Sequence, residues 1–142
     1  MPETHLMTVD PASASMILTG QKLIEGRLAS DPRQLPQRVA PRDTLYIRAR
    51  GQRIVGKAVV HRVDLYDGLG SGDLRRLRDL YEDRVKGGDA LWQAPAGSAI
   101  FIALSKPLLL RDESTVPAEL TRAGDVAWFT LWTEQPRLRQ AA

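Results

Sequence analysis

The stretch RIVGKAVVHRVDL, residues 53–65, constrains this chain more than any other. Ile54, Val55, Val59, Val60 and Val63 are β-branched, a side-chain type that loses rotamer freedom in a helix and packs well on a pleated surface. The segment reads as one long strand. TLYIRA at 44–49 precedes it across RGQ, and Gly51 suits the turn of a hairpin. Gly56 interrupts the long strand early and predicts a bulge or tight bend of the kind small barrels use at their corners. The fold must therefore be built around a sheet with this hairpin inside it.

Three more strands are expected: 22–28 (KLIEGRL), 98–105 (SAIFIALS, closed by Lys106-Pro107) and 126–133. Asp10-Pro11 is a helix start, with a capping carboxylate and a proline where its missing N–H costs nothing. The helix then covers 12–19 and stops at Gly20. Leu74, Leu77, Leu80, Tyr81 and Val85 recur at helical spacing, so a second helix runs from Gly72 or Asp73 to about Val85. A short third helix is expected at 117–122. Residues 29–42 hold three prolines and no periodicity, which makes them a loop long enough for a covering or functional role.

No strand-helix-strand unit repeats. The expected class is α+β: a small mixed β-barrel of five or six strands, with a helix before the first strand and another inserted midway. At 142 residues a single domain is expected. Apolar runs of about 18 residues, the length that spans a membrane, are absent from the sequence, and MPETHLMTVD lacks the pattern of a signal peptide, so a cytoplasmic protein without membrane contact is expected. Cysteine is absent and there are two histidines, which leaves no thiolate nucleophile, no disulfide and no histidine-based metal site. No metal and no cofactor are expected.

Net charge is only +3, but it is unevenly placed. Residues 38–62 carry seven basic side chains against the single acid Asp43, and sixteen of the twenty basic residues in the chain are arginine. Arginine presents a planar fork of donors that matches phosphate. A cluster of it points to an anionic partner.

The segment LTGQKLIEGRL adds charges of both signs to a strand. Alternation puts Leu23, Glu25 and Arg27 on one face and Ile24, Gly26 and Leu28 on the other. Lys22, at the strand's start, can turn either way, and if it turns toward Glu25 three charges meet at one rim. This segment resembles the signature of the ASCH domain, in which a helix runs into Gly-x-Lys-x-x-Glu-x-Arg. The matching positions are Gly20, Lys22, Glu25 and Arg27, preceded by the helical DPASASMIL. Arg42-Asp43 stands where the family has Gly-Asp before its next strand. The resemblance covers residues 5–107, and 108–142 form a C-terminal extension with a final strand.

The resemblance implies a PUA-like fold and a cleft lined by Lys22, Glu25 and Arg27 that binds RNA or a modified nucleotide. One subgroup deacylates N4-acetylcytidine with a lysine and a threonine on this strand and a later glutamate; ribonuclease activity is attributed to another. Lys22 matches that lysine, but Glu25 stands in the threonine's place, and Asp79, Glu82 and Asp89 are the acids available downstream. Three functions follow: a module binding RNA, single-stranded nucleic acid or a nucleoside; a nucleic-acid hydrolase with Lys22 and Glu25 as catalytic groups; and a protein-interaction adaptor.

Each candidate residue also has a plainer reading. Lys22 and Glu25 can be an ion pair pinning the helix-to-strand junction. Arg48, Arg50, Arg53 and Lys57 crowd the hairpin, where they either track a nucleic-acid backbone or coat a solvated turn. Trp92, in an apparent loop, either stacks a base or lids the barrel. Trp128 and Trp132 read as core or edge packing, Tyr66 as a residue near the cleft, and His61 as a core or rim histidine.

Overall fold

The computed structural model describes residues 1–94 and 96–131. Its strands are β1 (Thr4–Val9), β2 (Ile24–Ala29), β3 (Thr44–Ala49), β4 (Ile54–Tyr66), β5 (Ser98–Leu109) and β6 (Trp128–Leu131). The helices are α1 (Pro11–Leu18), α2 (Ser71–Val85), α3 (Gly88–Trp92) and α4 (Ala118–Arg122). The six strands form one mixed sheet in the order β2-β5-β4-β3-β1-β6, in which only β1 and β3 run parallel. The sheet curls into a half-barrel. No helix among the described residues is long and apolar enough to cross a membrane.

The expected hairpin is β3–β4, and its bulge falls beside Gly56: Ile47 pairs with Gly56 and Arg48 with Ile54, which leaves Val55 unmatched. Gly56 also lets α1 rest on the sheet, because a side chain there would collide with Leu18 and come within 2.9 Å of the Leu108 carbonyl oxygen. Strand β5 runs past the expected stop at Lys106-Pro107. Its register against β4 jumps there, with Val59 opposite Ser105 and Lys57 opposite Leu108. Pro107 is thus taken up in an irregularity that asks no ladder hydrogen bond of it. Residues 32–34 form a turn of 3-10 helix capped by Asp31, and Leu35 after it is buried in the main core.

Two expectations are corrected. Strand β1 was not expected, so the first helix lies between two strands instead of before the first. Five of its six residues are buried. With both faces covered, a strand loses the alternating pattern that would announce it. Trp92 is the second correction. It ends α3 instead of sitting in a loop, and it is 7% exposed. Its ring stacks on Phe101 with centroids 6.0 Å apart, and its indole N–H donates to Glu82 Oε1 at 2.7 Å. It is a core residue of the cluster that joins α2 to the sheet and is closed to a base.

Glu82 organises this corner by also accepting from the Gly87 and Gly88 amides at 3.0 and 2.8 Å. Partial burial works to raise its carboxyl, but the Trp92 indole and the two glycine amides outweigh it and hold the group below the ordinary 4.5. A carboxyl depressed in the folded state stabilises the fold above its unfolded value and ceases to do so as pH falls through the folded one. The stability difference between wild type and Glu82→Gln should therefore shrink as pH drops below 4.5. Urea titrations at several pH values measure it. Trp92→Ala should cost about 3–5 kcal/mol, the scale for emptying a buried aromatic site, and urea denaturation reads that directly.

Candidate nucleic-acid interface

Gly20, at φ +81°, ends α1 and turns the chain so that the Gln21 and Lys22 amides both donate to the Met16 carbonyl. Lys22 leaves this turn just before β2 begins. It approaches Glu25 from outside the strand's alternation, which brings Nζ to 3.3 Å from Glu25 Oε1. Arg27, two residues further along β2 and on the same face as Glu25, donates through Nε to Oε2 at 3.0 Å. Lys22 is 5% exposed and Glu25 7%. The three charges do meet, but in a largely buried setting, where an isolated charge is far more costly than at an exposed rim.

Arg27 has further contacts. Its two terminal nitrogens donate to the Thr8 carbonyl at 3.1 Å and the Ala127 carbonyl at 3.2 Å, and its guanidinium lies 5.6 Å from the centroid of the Trp128 ring. Thr8 belongs to β1, and Ala127 immediately precedes β6. Since β2 and β6 are the two edges of the sheet, Arg27 joins its opposite ends across the seam of the half-barrel.

A cleft of about 630 Å³ opens at that seam, a size within the range of small-molecule sites. Lys22, Glu25 and Arg27 form one wall. Asp10, Arg50 and Lys86 add charge around them, and Gln34 and Leu35 bring in the proline-rich loop, which gives that loop a covering role. The cleft holds four cations against two carboxylates. Sequence reasoning took Asp10 only as a helix cap. It does cap α1, since the Ser13 amide donates to it at 2.9 Å, and this bond, outweighing partial burial and aided by the Ser13 hydroxyl and the Lys22 ammonium, holds its carboxyl below the ordinary range.

The other expected binding residues disperse. Arg48 donates to the carbonyls of Leu120, Ala123 and Gly124, closing the C-terminal end of α4. Arg53 donates to the Ile54 and Leu110 carbonyls. Lys57 sits 5.9 Å from the centre of the Tyr46 ring. Of the four hairpin cations only Arg50 faces the cleft, so the expected basic hairpin track is corrected: backbone carbonyls and a ring hold the others. Tyr66 is also outside the cleft, its hydroxyl 2.8 Å from that of Tyr81, and His61, read as a core or rim histidine, is exposed on β4. None of Asp79, Glu82 and Asp89 lines the cleft; Asp89 pairs with Arg78. Trp128 packs against the main core, as expected of it, while Trp132 lies outside the described residues.

A curled six-stranded mixed sheet, a helix entering β2 through a Lys-x-x-Glu-x-Arg run and a cleft at the barrel seam define an ASCH-type, PUA-like fold. The chain matches the ASCH protein of Zymomonas mobilis over 97% of its own length and 92% of that chain, with a TM-score of 0.61 at 16% identity. It matches a variant of the same protein over 99% of its length and 96% of that chain, with a TM-score of 0.70 at 14% identity. No family model matches the sequence, nor does any curated protein.

Removing Arg27 should open the seam. Arg27→Met is expected to destabilise the protein by roughly 2–4 kcal/mol, since it deprives a buried carboxylate of one partner and two carbonyls of a donor, although the Ala127 carbonyl keeps the Thr8 amide. Arg27→Lys should recover little of this, because one ammonium cannot reach three acceptors held by a planar fork. Chemical denaturation of the two variants measures both effects.

Proposed function

We propose that the seam cleft binds a nucleotide unit of RNA or of another single strand, through the ammonium of Lys22 and the free face of Arg27. The carrying observation is that Lys22 lines the cleft while nearly buried, and among the described residues Glu25 is the one with which it forms an ion pair. An ammonium has three donors, so two are available to phosphate or to carbonyl oxygens of a base. Arg50 and Lys86 at the mouth extend the positive field. The ASCH-type fold supports the reading, being the architecture to which this ligand class was expected to belong.

The same geometry favours binding over hydrolysis at this site. Each oxygen of Glu25 faces a cation, which makes the carboxylate the counter-ion that keeps Lys22 and Arg27 in place instead of a group positioned to take a proton.

Lys22→Met should weaken binding of a short fluorescent single-stranded RNA by about 10- to 100-fold, the scale of a lost hydrogen bond to a charged group. Glu25→Gln should lower stability while leaving affinity unchanged or raised. Fluorescence polarisation, repeated at several salt concentrations, reads both. Unaltered affinity in Lys22→Met, or an affinity that ignores salt, would remove the cleft from the argument.

A further inference from the structure

A second recess of about 450 Å³ adjoins the cleft, with Gln34, Leu35 and Ala127 shared between the two walls. It contains a chain of groups that the binding reading does not use. His5, on β1, is 0% exposed and stands opposite Thr130 of β6. Its Nδ1 lies 2.9 Å from Thr130 Oγ1 and its Nε2 lies 2.8 Å from Asp43 Oδ2. Asp43 accepts three contacts in all, the others from the amides of Glu3 and Ala40 at 2.8 and 2.9 Å, so it is an acceptor throughout. A carboxylate at Nε2 makes that nitrogen the donor and leaves Nδ1 to accept the threonine's proton.

Hydroxyl, imidazole and carboxylate in this order are the arrangement by which a weak alcohol becomes a nucleophile. Thr130 is half-buried and lines the open recess, whereas His5 and Asp43 are closed behind it. Trp128, two residues before Thr130 and hence on the same face of β6, lines the recess too. Its indole N–H is buried and has no hydrogen-bond partner among the described residues. Such a donor is costly to leave unmade unless something else is to accept from it.

We infer that Thr130, His5 and Asp43 form an acyl-transfer site, in which Thr130 attacks the carbonyl carbon of an uncharged carboxylic ester seated in the recess. In the first step the Thr130 Oγ–carbon bond forms and its proton passes to His5 Nδ1. The carbon–oxygen bond to the leaving alcohol then breaks, and that oxygen takes a proton from water in the open recess. The hydroxide so formed attacks the acyl-threonine; the carboxylic acid leaves, and His5, which exchanges a proton with Thr130 alone, returns it to the Thr130 oxygen. Asp43 touches no substrate and is a positioning residue. An acyl group fits better than a phosphoryl group because the recess walls include Leu35, Pro36 and Ala127, and its arginine, Arg38, is already held in a two-pronged contact by Glu3. The inference concerns groups apart from Lys22, Glu25 and Arg27, and it does not rest on nucleic-acid binding.

The test is to mix the full chain with p-nitrophenyl acetate, follow nitrophenolate release, and locate the acetyl group by mass spectrometry of the digested protein. A burst approaching one equivalent is expected, with the acetyl group on Thr130. Thr130→Ser should keep the burst, and Thr130→Val, which preserves shape but has no hydroxyl, should lower it at least ~10-fold without changing the circular dichroism spectrum. Absence of a burst from the wild-type protein, acetylation confined to lysines or the chain's amino group, or a burst that survives in Thr130→Val would each overturn the assignment.

Discussion

A sheet that curls must do something with its two edges, and here one guanidinium settles the matter. Arg27 reaches from β2 across the seam to carbonyls at the opposite end of the sheet while its own charge is neutralised by Glu25. Full closure of a barrel would satisfy these groups by a backbone ladder. Here a side chain takes that role and leaves a gap, and the gap is the cleft. The geometry of the cleft therefore depends on the same ion cluster that lines it. Glu25 Oε2 holds the Arg27 fork whose other nitrogens reach the Thr8 and Ala127 carbonyls, so the spacing of β1, β2 and β6 is tied to that ion pair.

Much of this was legible in the sequence where a segment has one wet and one dry side. Strand β3 was read to the residue, β4 and α2 to within one or two, and Gly56 announced the bulge that admits α1. The sequence put Glu25 and Arg27 on one face and left Lys22 free to turn either way; in the structure it turns toward Glu25. The failures have common physical causes. Strand β1 is covered on both faces and carries His5 and Thr8 among its apolar residues, so it resembles neither an alternating strand nor an apolar run. Trp92 was placed in a loop because Gly87, Gly88 and Pro95 flank it; the five-residue α3 is too short to show a period. Arg48 and Arg53 were read as charges, yet they donate to neutral carbonyls, of which Ala123 and Leu110 lie more than fifty residues away in sequence, where no local pattern encodes them.

In the sequence, His5 counted only toward a metal site, for which two histidines are too few. The structure shows it as a buried imidazole between a hydroxyl and a carboxylate. Its partners come from β6 and from the turn before β3, so only the sheet order, with β1 lying between β3 and β6, brings the three together. Spacing along the chain carries no hint of it.

Asp43 ties distant parts of the chain to one another more tightly than its size suggests. Its two oxygens hold the amide of Glu3 at the chain's start, the amide of Ala40 at the end of the proline-rich loop, and His5, which in turn holds Thr130 on the last described strand. Segments as far apart as residues 3 and 130 therefore open together or not at all. In the language of local unfolding they belong to one cooperative unit, and amide exchange at β1, at residues 40–43 and at β6 should share a single opening free energy despite lying at three separate places in the chain.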